Sequence, residues 1–156
     1  MKRYQVGLLA LTAVLASATG LAAQSSLSGI YAQKLLDETL AKHKDVVIMA
    51  MHVTPPGQSV NVIIASNIGR IGKKADEDDT RVIETGKANL ERNQKGDHFE
   101  VELTLQDRAK KTIGAVGIVF MYKPDNEKAF QKEAEGIRDE MASKTPTIAR
   151  LFEKEK

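Results

Sequence analysis

Four sets of residues in the chain carry types capable of chemistry. Gly69-x-x-Gly72 followed by Lys73-Lys74 places two turn-permitting glycines beside cations, the ingredients of a weak phosphate cradle. The Walker spacing and the Ser/Thr after Lys are missing, so a plain turn is the favoured reading. The run Asp76-Glu77-Asp78-Asp79 lacks the alternating oxygens, the glycine at six and the glutamate at twelve of a calcium loop. Acids in a first helical turn complement the helix dipole, and no metal is expected there. His43, His52 and His98 are the only histidines. Met49 and Met51 sit beside His52 but point to the opposite side of a strand, so core packing outweighs a copper or haem site. Ser59, Ser66 and Asp107 exist without a Gly-x-Ser-x-Gly elbow, and the histidines fall outside the loop that follows Ser66. No catalytic residue, cofactor or metal is expected.

The remaining candidates form a polar set suited to holding a small molecule. Ser66 offers a hydroxyl, Asn67 an amide, and Arg70 a planar fork for a carboxylate or phosphate. Asp79 stands ready to orient Arg70 or to receive a ligand amine, and Tyr122 to close the mouth.

The elements around them follow from hydrophobic spacing. Leu27, Tyr31, Leu35, Leu36 and Leu40 mark an amphipathic helix over 27–43. Val46 to Val53 is apolar on both faces, a central strand. The turn 54–58 leads to a second strand, Ser59 to Ser66, too close for anything but a hairpin. The acidic run opens a helix carrying Val82 and Ile83 and stopping at Gly86; 87–97 is polar loop with room for a short edge strand. Phe99, Val101, Leu103 and Leu105 alternate with Glu100, Glu102 and Thr104, a strand with one wet face. Thr112 to Tyr122 returns as a strand holding Gly114 and Gly117, one on each face. Helix packing accounts for one of these glycines; the other leaves room for a ligand. Asp125 caps a last long helix with Phe130, Ala134, Ile137 and Met141 on one face, and Thr145-Pro146 starts a short terminal helix. The sum is an α+β domain with a central antiparallel sheet of four to five strands, an N-terminal helix, a helix after strand two and C-terminal helices.

Residues 1–23 read as a signal peptide: Lys2 and Arg3, an apolar run from Val6 to Ala18, then small residues to Ala23. The run is too short and too polar for a membrane span, so the mature chain, 24–156, is expected as one domain, periplasmic or secreted. The formal charge of +2 resides in that leader, and the rest balances 21 basic against 21 acidic residues. Such a balance gives no electrostatic case for nucleic acid. With no cysteine there is neither disulfide nor thiol chemistry.

The stretch Val62 to Phe120 resembles the Cache family of extracellular PAS-like sensing domains. The likeness lies in Ile63-Ile64-Ala65-Ser66-Asn67-Ile68-Gly69-Arg70-Ile71-Gly72, in Val82-Ile83-Glu84-Thr85-Gly86-Lys87, and in Glu100 to Asp107 running into Thr112 to Phe120. It implies a five-stranded antiparallel sheet with a small-molecule pocket between one face and the loop and helix after strand two. The family's amino-acid signature includes a Trp, and this chain has none. The expectation is a secreted, non-enzymatic domain binding an unnamed small molecule. The alternatives are an interaction module for an envelope protein or, third, a small haem-binding or enzymatic protein.

Overall fold

The computed structural model describes residues 27–155; the expected leader lies outside them. Helix α1, Tyr31–Lys42, buries Tyr31, Ala32, Leu35, Leu36 and Thr39. Its first turn is tied to the far end of the chain, because Tyr31 N–H donates to the Glu153 carbonyl at 2.8 Å and Ile30 bridges Lys154. Strand β1, Val46–Val53, pairs with β2, Val62–Ser66. The expected start of β2 at Ser59 is corrected to Val62, because Gly57 turns the chain at φ 76° and residues 59–61 stay outside the sheet.

Helix α2, Glu77–Thr85, follows, then the short strand β3, Asn89–Arg92, and the hairpin of β4, His98–Gln106, with β5, Thr112–Met121. The five strands are ordered β2-β1-β5-β4-β3 and all pair antiparallel. This open α+β sheet is the five-stranded antiparallel architecture that the PAS-like resemblance implies, and β1 and β5 lie at its centre as their apolar runs require.

Two faces of the sheet do different work. Met49, Met51, Val101, Leu103, Leu105, Val116, Ile118 and Phe120 point to one side and are buried under α1 and the long helix α3, Glu127–Lys144. There Phe120 stacks on Phe130 at 4.8 Å between ring centroids. Helix α2 lies across the opposite face, against β4 and β5. The chain closes with α4, Ile148–Leu151.

Helix ends differ from the sequence expectation at three points, the first being that α1 begins at Tyr31 and not at Leu27, because 27–29 form a turn and Ile30 bridges Lys154. Asp125 does not cap α3: it sits at φ 67°, and Asn126 takes the N-cap position without a side-chain bond. Thr145 ends α3, its hydroxyl donating to the Met141 carbonyl at 2.9 Å, and Thr147 precedes α4.

Gly136 lies in the interior of α3 with nothing within 4 Å of where a Cβ would sit. Gly136→Ala is therefore expected to stabilise the fold by about 0.5–1 kcal/mol. A denaturant midpoint equal to or below wild type would show that the site is crowded.

Candidate functional site

The second face of the sheet is not wet. Along β4, Glu102 and Thr104 are only 4% and 5% exposed, because α2 and the loop before it roof them over. Alternation in the sequence reveals a polar face but not its cover. Between sheet and roof lies a cavity of about 250 Å³. Ile48, Ala50 and His52 of β1, Glu100 and Glu102 of β4, and Val119 of β5 form its floor.

The roof is built by local rules. Asp76 caps α2, accepting from the Asp78 and Asp79 N–H groups at 3.1 and 3.2 Å. Asp79 returns the bond, accepting from Asp76 N–H at 2.8 Å, which completes a capping box. Gly86 ends the helix in the left-handed conformation at φ 70°, as expected. Ahead of α2, the glycine loop folds back along the outer edge of β2. Gly72 N–H donates to the Ile63 carbonyl and Ile63 N–H to the Lys73 carbonyl, at 2.8 and 2.9 Å. Lys73 N–H closes a turn onto the Arg70 carbonyl at 3.0 Å. These amides are spent on the loop's own structure, so the plain-turn reading stands over the phosphate cradle.

Three of the five expected site residues meet in this cavity: Ser66, Arg70 and Asp79 all line it. Ser66 is held by Gln33 of α1, whose side-chain oxygen accepts from Ser66 N–H at 3.1 Å and whose amide donates to the Ser66 carbonyl at 3.3 Å. The Ser66 hydroxyl accepts from Ile68 N–H at 3.2 Å. Arg70 stands in the left-handed region at φ 68°, uncommon for a residue with a Cβ. Its guanidinium has no hydrogen bond or ion pair with any described residue. With Lys73 and Lys74 it forms an exposed basic rim.

The other two expected residues lie elsewhere. Asn67 does not face the cavity; its side chain extends the β1 ladder, accepting from Met49 N–H and donating to the Val47 carbonyl, both at 2.9 Å. Tyr122 falls on the opposite side of the sheet, since it continues the alternation of Ile118 and Phe120. It packs against Phe99 and donates to Glu127 at 2.7 Å, so it closes no mouth.

His52 is the residue that sequence reasoning set aside. Its Nδ1 lies 2.9 Å from Asp79 Oδ2, although the ring N–H is off line for a full hydrogen bond. Alternation along β1 put His52 on the face away from the methionines, which was the available signal. Of the two roles expected of Asp79, that of orienting Arg70 is not taken up; Asp79 faces His52 and Glu102 instead.

Glu102 is the second residue missed. As a carboxylate its buried Oε1 would have no hydrogen-bond donor among the described residues. Burial and the hydrogen bond to Asp79 push the Glu102 carboxyl up to about 9, so at neutral pH it holds a proton and donates to Asp79. Burial works against ionising Asp79, yet His52 and the Glu102 bond outweigh it and hold Asp79 well below the usual carboxylate range. Burial, with the negative charge of Glu91, also raises Glu100. Two carboxyls sharing one proton are the expected outcome of like charges placed side by side.

The strand glycines do other work than expected. A Cβ on Gly117 would lie 2.6 Å from Glu100 Oε1, so its space is taken by that carboxylate and not left for a ligand. A Cβ on Gly114 would lie 2.2 Å from the His52 carbonyl oxygen, so β1 backbone and not a helix demands that glycine.

His43 pairs with Glu140 and His98 with Asp97, and neither lines the cavity that holds His52. Asp107 accepts from Ala109 and Lys111 N–H groups and serves the β4–β5 turn. No group of three or more His, Asp or Glu among the described residues could hold a metal ion. No helix among them is long and apolar enough to cross a membrane.

Neither family models nor curated proteins match this chain. Solved structures do. The Agobacterium tumefaciens repressor BlcR is similar at 11% identity and a TM-score of 0.53, covering 81% of this chain and 72% of that one. Thermotoga maritima IclR is similar at 9% and 0.51, covering 81% and 73%. The second GAF domain of Mycobacterium smegmatis DevS is similar at 10% and 0.46, covering 70% and 88%. At such identities the likeness is one of fold, and what this chain shares with BlcR and IclR is the antiparallel sheet with its helices.

Proposed function

We propose that this chain is a small-molecule-binding sensory domain of Cache type, periplasmic or secreted, that binds its ligand without transforming it. One observation carries the reading: the cavity on the second sheet face brings together Ser66, Arg70 and Asp79, residues that sequence alone nominated. The ligand is small and polar, and Arg70 at the rim meets its carboxylate or phosphate with two parallel N–H donors. Strain at Arg70 supports a role, because a left-handed non-glycine costs about 1 kcal/mol or more where glycine costs nothing. The basic, apolar and small-residue sequence of 1–23 supports export.

The test is to purify the mature protein from its source, extract it and identify any stoichiometric metabolite by mass spectrometry. Arg70→Ala is then expected to weaken equilibrium binding of that metabolite at least tenfold, about 1.4 kcal/mol. The melting temperature of the free protein should not move, because the guanidinium supports nothing else. A variant that binds as well as wild type removes Arg70 from the site. A protein free of metabolite that co-purifies with one envelope partner favours an interaction module instead.

A further inference from the structure

The cavity is polarised. Its positive side chains, Arg70, Lys73 and Lys74, all come from the loop and stand exposed at the rim. Its inner end is lined by carboxyls: Asp79 from α2 and Glu102 from β4, both at least nine-tenths buried, with Glu100 beside them. His52 from β1 is the basic group there, its Nδ1 2.9 Å from Asp79 Oδ2 but off line for a full hydrogen bond. Asp76 adds a further negative charge from the start of α2, while β5 contributes uncharged Gly117. Glu102 Oε1 is thus one donor short unless a proton is kept between the two carboxyls.

An ammonium group supplies what this end lacks: three donors, no acceptor and a positive charge. A carboxylate or phosphate placed there would face the carboxyls of Asp79, Glu102 and Glu100, with His52 the one basic side chain beside them. We propose that the inner end of the cavity binds the protonated amine of a small ligand, which donates to the buried, unpartnered Glu102 Oε1 and to Asp79 beside it. This rests on the binding reading above and gives it a ligand class. The step balances: the amine enters as ammonium, Glu102 releases one proton to solvent, and the charge of the site is unchanged. At about 250 Å³ the cavity is smaller than the roughly 300–1,000 Å³ of drug-sized sites, which limits the amine to a short chain.

Calorimetric titration of the mature protein tests this, with ethanolamine and putrescine as amine probes. Propionate and ethylene glycol serve as anionic and neutral counterparts of similar size. At pH 7 the amines are expected to bind with a heat that differs between phosphate and MOPS buffers by the ionisation of about one proton. Their affinity should rise about tenfold per pH unit from pH 6 to pH 8, because each unit deprotonates more Glu102. Glu102→Gln, which keeps the shape but cannot release a proton, should lose at least tenfold in amine affinity together with the buffer dependence. Should that variant not melt cooperatively, wild-type proton release and a weakened Glu100→Gln decide the matter.

Amine heats that are equal in the two buffers, or unchanged affinity in Glu102→Gln, overturn the proposal. Binding of propionate or ethylene glycol without the amines overturns the ligand class and leaves the pocket reading standing. Silence from all four probes, with no metabolite in the purified protein, removes both.

Discussion

Gly114→Ala is expected to cost about 3 kcal/mol or more and to leave little folded protein at 37 °C. The added Cβ would sit 2.2 Å from the His52 carbonyl oxygen and 2.9 Å from Val53 Cγ2. The first obstacle is backbone of a central strand paired on both sides, so it cannot swing away as a side chain can. Overpacking commonly costs about 1–3 kcal/mol, and a rigid obstacle places this case at or above the upper end. Gly117→Ala is the internal control. Its Cβ would meet the end of the Glu100 side chain, which can rotate, and about 1 kcal/mol is the expected loss. Chemical denaturation of both variants settles the order; equal losses would mean that β1 and β5 separate easily at His52.

Stability is expected to fall as the pH rises from about 5 to 9, by on the order of a few kcal/mol. The folded state raises Glu102 from 4.5 to about 9 and so binds a proton that the unfolded chain releases. The stability this confers is complete below the unfolded value and drains away as the pH climbs through the folded one. Asp79 works in the other direction: its lowered value stabilises the fold above the ordinary carboxylate range and is lost only in stronger acid. The two together place the optimum in mild acid. Glu102→Gln, whose amide donates to Asp79 at every pH, should flatten the alkaline slope and exceed wild type at pH 9. A wild-type melting temperature that holds level from pH 6 to pH 9 would refute the shared proton.

The fold was legible where one local rule sufficed. Apolar spacing located α1 and α3, alternation located β4, and the acidic run with Gly86 bounded α2. Of the candidate site, the nearness of Ser66, Arg70 and Asp79 around one cavity was legible, because they lie around a single connection. What escaped depended on contacts across the sheet. His52 and Asp79 are 27 positions apart, and only the path of α2 over the face brings them together. Glu102 was read as solvent-facing because alternation is silent on what covers a face. Tyr122 was misplaced against a signal that was present, since its even number groups it with Phe120. Asn67 was misassigned because a side chain that stands in for backbone leaves no mark in composition.

The loop that returns along β2 also decides how copies of this chain can meet. An unpaired strand edge is a template on which another molecule can add a strand. On β2 that template is consumed: residues 72–75 pair with Asn61 to Ile63, and Gln33 occupies both backbone groups of Ser66. The opposite edge, β3, is four residues long and carries Glu91 and Arg92 exposed. Sheet-to-sheet polymerisation needs two open edges per molecule, and here one is closed by the chain itself and the other is short and charged. The same turn that places Arg70 over the cavity therefore protects an open five-stranded sheet from growing into a fibre.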